Sequence, residues 1–249
     1  MKRLFIALLL LPLIAHSQTN LPYKVGEHSY FDISFRGIIV GSAEMEIANE
    51  IKIDSISTFH IIGKGRTAPF FDLFFKVRDV YETYLDTLKV RPLRFIRDIH
   101  EGGFEKKQRY NFSHADCLVF YKDTSYAISS ISQDMLSALF YARTFNKDSV
   151  KHKRSFFIPV FIDEENYSVE VVYLRNEKVK TNFGEINCMV FKPKMQEGRV
   201  FQDGEKMRLW ISDDRNNLLV KVETQIWAGT IRAILRKCKE VKYPLSISK

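Results

Sequence analysis

The chain has 249 residues, 45% of them hydrophobic, and a formal charge of +8, the composition of an ordinary folded protein rather than a disordered or collagen-like one. At this length it can bury a sizeable core, as one large β domain or two small ones. The basic excess is modest and no basic cluster resembles a reading motif, so no nucleic-acid partner is expected. Attraction to anionic lipid head groups or polysaccharide is the alternative use of that charge.

Residues 1–17 read as a secretory signal. Lys2 and Arg3 form the basic start, Leu4 to Ile14 the apolar run, and Ala15-His16-Ser17 the small-residue cleavage site. The run is about eleven residues, short of the ~20 a membrane span requires. No Cys stands near the cleavage point, and nothing later is long and apolar enough to cross a bilayer. The expected mature protein, residues 18–249, is exported, periplasmic or outer-envelope associated, not lipid-anchored, and without a transmembrane segment.

From about residue 30 to 127 apolar and polar residues alternate. Phe31, Ile33 and Phe35 face one way against Asp32, Ser34 and Arg36, the period-two pattern of a half-buried antiparallel strand. Gly41, Ser42 and Ala43 suggest close approach by another element or a bend. Pro69-Phe70-Phe71-Asp72-Leu73-Phe74-Phe75 is the most apolar spot outside the signal: a strand end feeding the core, or a greasy lip at a cavity mouth or docking patch. Glu101-Gly102-Gly103 is a turn signal. Further strands are spaced at about ten residues, which suits a meander, sandwich or barrel.

At Ser130–Phe145 the period changes. Ile131, Met135, Leu136, Leu139 and Phe140 fall at three-and-four spacing, and Ser130 with Gln133 reads as a capping box, predicting one central helix over about 131–144. Asp134 suits its positive start and Arg143 its negative end. Asn146 to Arg154 reads as a charged surface connection. Strands return over about 155–240, Pro159 marks an edge or bulge, and 196–205 reads as a polar loop. The fold class is therefore all-β, mainly antiparallel: one domain, a curved sheet or half-barrel of about 11–14 strands with one central α-helix packed in its concave face.

Gly37-x-x-x-Gly41, Arg78-Asp79-x-x-Glu82-x-Tyr84, Arg91-Pro92-Leu93, Glu101-Gly102-Gly103, Asp134-x-Leu136-Ser137-Ala138, Tyr141-x-Arg143, Trp210-x-Ser212-Asp213-Asp214 and Gly229-x-Ile231-x-Ala233 occur in that order. In this series the chain resembles the exported bacterial family catalogued as domain of unknown function 3108, from about Tyr30 to Lys242. Phe35 stands where Trp would be expected, and Leu219 where Pro is common. The resemblance implies an exported β-rich protein and no established activity. A further likeness, to the curved half-barrels of periplasmic lipoprotein carriers, concerns fold alone.

Little in the sequence carries chemistry. No HExxH, GxSxG or phosphate loop is present, so no catalytic residue, metal or cofactor is expected. Cys117, Cys188 and Cys238 have no CxxC partner, and Cys117 and Cys188 read as buried free thiols, with a disulfide left open. The expected function is binding of an apolar or amphipathic ligand, a lipid or similar small molecule, in the concave sheet. Phe70, Phe71, Phe74, Met135 and Leu139 would supply apolar lining, and Arg78, Glu101 or Arg143 would hold a polar head group. The alternatives are an interaction module that docks an envelope protein, and a hydrolase using carboxylates such as Asp213 or Glu101.

Overall fold

A computed structural model describes residues 20–195 and 207–248; the signal expected at 1–17 and the polar loop expected at 196–205 lie outside these residues. The chain first lays down β1 (His28–Phe35), β2 (Ile38–Ile53), β3 (Ile56–Thr67), β4 (Arg78–Asp86), β5 (Pro92–Glu101), β6 (Phe104–Ser113), β7 (Leu118–Tyr121) and β8 (Thr124–Ala127). Two helices follow, α1 (Ser137–Arg143) and α2 (Lys147–Lys153). The second series is β9 (Ser155–Ile162), β10 (Glu165–Thr181), β11 (Gly184–Met195), β12 (Met207–Ser212), β13 (Leu219–Ile226), β14 (Gly229–Lys239) and β15 (Ile247–Ser248).

Among the described residues the fifteen strands belong to one antiparallel sheet, ordered β8 to β1 and then β14 to β9, with β15 on β11. Pairing of β1 with β14 therefore makes the centre, and β8 and β9 are the two free edges. Two-residue turns with both central residues at positive φ, the geometry that matches strand twist, join several neighbours. They are Arg36-Gly37, Asp54-Ser55, Gly102-Gly103 and Asp163-Glu164. Register shifts at Tyr30/Phe31, Ile33/Ser34, Ile47/Asn49, Tyr84/Leu85, Tyr173/Arg175 and Trp210/Ile211 bend individual strands. At Gly41 the expected close approach is found: an added Cβ would stand 2.5 Å from the Arg66 carbonyl oxygen.

So wide a sheet must curl, and here it curls about α1. Phe140 packs with Tyr23, Met45, Ile47, Phe59, Ile61 and Leu85 from the β2–β4 side. Ala138, Ala142 and Phe145 meet Ile158, Val171, Phe191 and Ile211 from the β9–β12 side. The ladder stays open between β8 and β9, but the connector lies in the gap. Gln133 N donates to Pro159 O and Gln133 O accepts from Phe161 N, both at 2.8 Å, while Asn166 Nδ2 donates to Ala127 O. Pro159 sits on an edge strand, as its missing N–H requires. Phe161 fills the seam edge-on to Tyr110 and Phe112. Above it, buried Arg97 is bonded to Gln108 and to Asp163 of the β9–β10 turn.

Three expectations are corrected. The helix at 131–144 begins only at Ser137, because Gln133 is bonded to β9 and to Val90 O; the Ser130/Gln133 capping box does not form. Asp134 takes over, its Oδ1 accepting from the N–H groups of Leu136 and Ser137. The supposed connection after Asn146 is a second helix, capped by Asn146 Oδ1 on Ser149 N and ending with Lys151, His152 and Lys153 at its negative pole. Cys117 is exposed in a turn at φ 55°, since the strand starts one residue later; Cys188 is buried, and no two cysteines are bridged.

Candidate functional site

The two faces of α1 meet different surroundings. Ala138 and Phe140 are two residues apart, so their side chains diverge by roughly 200° at ~100° per residue. Phe140 points into a filled core, edge-on to Tyr23 at 5.1 Å between ring centres. Ala138 and Ala142, one turn apart, present only methyl groups to β9–β12. The facing strands touch these methyl groups but do not fill the space around them, and a hollow of about 230 Å³ is left beside the helix.

The hollow is apolar. Leu139, Phe156, Val160, Met189, Met207 and Ile211 are representative of a lining drawn from α1 and β9–β12. A dry apolar cavity of about 150 Å³ suffices to admit a ring the size of benzene, so this volume exceeds what packing imperfection requires. It falls short of the ~300–1,000 Å³ of pockets that enclose whole drug-sized molecules. Its dimensions suit a short stretch of hydrocarbon.

Polar groups gather at the α2 end. Lys147 lines the hollow and lies 3.2 Å from Asp213, which also accepts from Lys151 Nζ at 2.8 Å. Burial works to raise the Asp213 carboxyl, but hydrogen bonds from the two ammonium groups prevail and hold it below the usual carboxylate range. Two lysines on one carboxylate leave positive charge beside an apolar room. Asn217, another lining residue, donates through Nδ2 to Arg143 O, while its Oδ1 is shielded from solvent with no hydrogen-bond donor among the described residues.

Met135, Leu139 and Arg143 border this space. The Arg143 guanidinium is already engaged, with its side chain 1% exposed. It donates to both oxygens of Glu27 at 2.5 and 2.9 Å and to Asn216 O, and stacks over Tyr23 and Phe140. It is thus the tie between α1 and the N-terminal segment, and its charge is already matched by Glu27. Phe70, Phe71 and Phe74 are elsewhere, around a short 3₁₀ turn at Phe71–Leu73 between β3 and β4, with Phe70 and Phe74 exposed. Arg78 holds that turn through Asp72, at 2.5 and 3.0 Å. Glu101, at the end of β5, shares a hydrogen bond with Asp79; burial first and the Asp79 charge second raise its carboxyl.

Glu101 and Asp213 thus lie at opposite ends of the sheet, each held by its own neighbours. Among the described residues no three His, Cys, Asp or Glu side chains come together as a metal site, and no helix is long and apolar enough to cross a membrane. Sequence reasoning missed Glu27, Lys147 and Asn217. It also missed the small pair Ala138 and Ala142, whose one-turn spacing was the available sign of a gap.

Residues 30–236 match the family described as Protein of unknown function (DUF3108), and the chain belongs to that family. Its fold is similar to that of a β-barrel-like protein of domain of unknown function DUF1849 from Brucella abortus, with 12% identity, TM-score 0.56, and coverage of 87% of this chain and 98% of the other. A candidate lipoprotein from Parabacteroides distasonis aligns at 11% identity and TM-score 0.38, covering 88% and 97%. A candidate exported protein with a YmcC-like fold from Bacteroides fragilis aligns at 10% and 0.35, covering 88% and 98%. No curated protein matches the chain.

Proposed function

We propose that the protein is an envelope binding protein whose ligand is an amphiphile: a short hydrocarbon segment enclosed between α1 and β9–β12, with an anionic head beside Lys147. The observation that carries this reading is the hollow itself, apolar throughout its depth and charged at one end. Export rests on the signal-like run at residues 1–17. The orphan Asn217 Oδ1 supports a head group that also offers a hydroxyl or amide donor, because an unpaired buried acceptor is costly to leave.

The test is a titration with the fluorescent apolar probe N-phenyl-1-naphthylamine, displaced by a medium-chain fatty acid and by the matching alcohol. The parent should bind one probe molecule, and Ala138→Leu with Ala142→Leu should weaken binding by at least about tenfold, since the added side chains occupy the room. Lys147→Gln should weaken displacement by the acid but not by the alcohol. Equal probe binding by the filled variant would refute the site.

A further inference from the structure

A second feature lies outside the hollow. Alternating strand directions send the odd-to-even turns to one end of the sheet, β7–β8 and β9–β10 included, and four of them, β1–β2, β3–β4, β5–β6 and β13–β14, are neighbours there. These four turns are laced together: Arg36 donates to Ala228 O, Ala68 N to Val40 O, and Gly102 N to Lys76 O. They also carry large apolar side chains in the open. Trp227 is 96% exposed, Leu73 80% and Phe74 74%, and Ile38, Phe70 and Phe104 are more than half exposed. The segments 34–42, 64–78, 101–106 and 225–232 hold seven Arg or Lys against three Asp or Glu. Arg78 pairs with Asp72, Lys64 with Glu44, Lys106 with Asp163 and Arg232 with Glu223, so among the described residues Arg36, Arg66 and Lys76 are the cations of these segments without a carboxylate partner.

We infer that this end of the sheet is a surface that inserts shallowly into an anionic lipid bilayer, with the turn apices at the head-group boundary and Arg36, Arg66 and Lys76 facing lipid phosphates. Aromatic and aliphatic side chains beside cationic ones are the chemistry of that boundary, where rings sit among acyl ends and basic groups meet head groups. The apolar groups stand on separate turns rather than on one smooth plane. A fluid bilayer closes around such protrusions, whereas a rigid protein partner needs a matching relief. The hollow's upper lining, Pro193 and Met207, lies toward this same end, because Met207 pairs with Thr224 two residues before the β13 terminus.

The chain supplies its own reporter, with two tryptophans, Trp227 exposed and Trp210 2% exposed. Emission and co-flotation are measured with vesicles of phosphatidylethanolamine plus phosphatidylglycerol, and with phosphatidylcholine vesicles. Parent and variants share one N-terminus, so differences read the turns alone. The expected result is a blue shift and flotation with the anionic vesicles, weakened by salt. The shift should disappear in Trp227→Phe, and binding should fall at least about tenfold in Phe70→Ser with Phe74→Ser at an unchanged melting temperature. Absence of flotation, or flotation unchanged in the double variant, overturns the inference. So does binding indifferent to lipid charge, or a vesicle-free dimer that these substitutions abolish. Probe binding in the hollow, measured on the same variants, should stay at the parent level, so either reading can fail without the other.

Discussion

The β2–β4 side and the β9–β12 side of the molecule share one helix and treat it oppositely. Toward β2–β4, Phe140 is enclosed by aliphatic side chains and the Tyr23 and Phe59 rings, and Arg143 is locked to Glu27. Toward β9–β12, the helix offers Ala138 and Ala142, whose small side chains touch the strands and leave a hollow beside them. The filled side with its buried ion pair fixes where α1 stands, and a helix held that firmly can leave its other face incompletely packed without the sheet collapsing onto it. Rigidity on one side makes an empty volume sustainable on the other.

That contrast can be broken most severely at the ion pair. Arg143→Met leaves a buried Glu27 carboxylate without its partner and should cost about 3–5 kcal/mol in urea unfolding, whereas Glu27→Met with Arg143→Met should recover most of the loss. Next in size, Phe140→Ala on the filled side should cost about 3–5 kcal/mol. Ala142→Leu on the open side should cost less than about 1 kcal/mol, because the added atoms enter existing space. A loss of 3 kcal/mol or more in Ala142→Leu would mean that both faces are equally packed.

Asp134 sharpens the comparison through pH. It lies where the connector turns from the seam into α1, fully buried, with Thr83 Oγ1 donating to its Oδ2 at 2.6 Å. Burial raises its carboxyl from 3.8 to about 6, against hydrogen bonds that favour the ionised form. The folded chain therefore holds this proton more tightly than the unfolded one. Its contribution is fully present below about 3.8 and is lost as pH rises to about 6, by at most ~3 kcal/mol. Melting curves across pH 4 to 6.5 should show this decline in the parent and a flatter profile in Asp134→Asn. Parallel profiles would contradict it.

Much of the architecture was legible because alternation is a local signal: Phe31-Ile33-Phe35 announces a strand, and Gly102-Gly103 a turn. Asp163-Glu164 marks its turn by charge alone, with no glycine at either positive φ. The helix was placed early because Ile131 fits its period and Ser130 with Gln133 has capping-box spacing, yet contacts with β9, farther along the chain, claimed that segment for the seam. α2 was invisible to periodicity because Val150 is its one buried residue. The site was partly legible through Met135 and Leu139. Glu27, 116 residues from Arg143, had no local sign at all, and the exposed Phe70 and Phe74 could not be told from core residues by composition.

The central claim is that the space beside α1 is built to hold hydrocarbon, and diffraction from crystals grown with a terminally brominated medium-chain fatty acid tests it most directly. An anomalous bromine peak among Leu139, Met189 and Met207, absent in Ala138→Leu with Ala142→Leu, is the predicted result. A space with no bromine density in crystals where the acid is bound elsewhere would contradict the account.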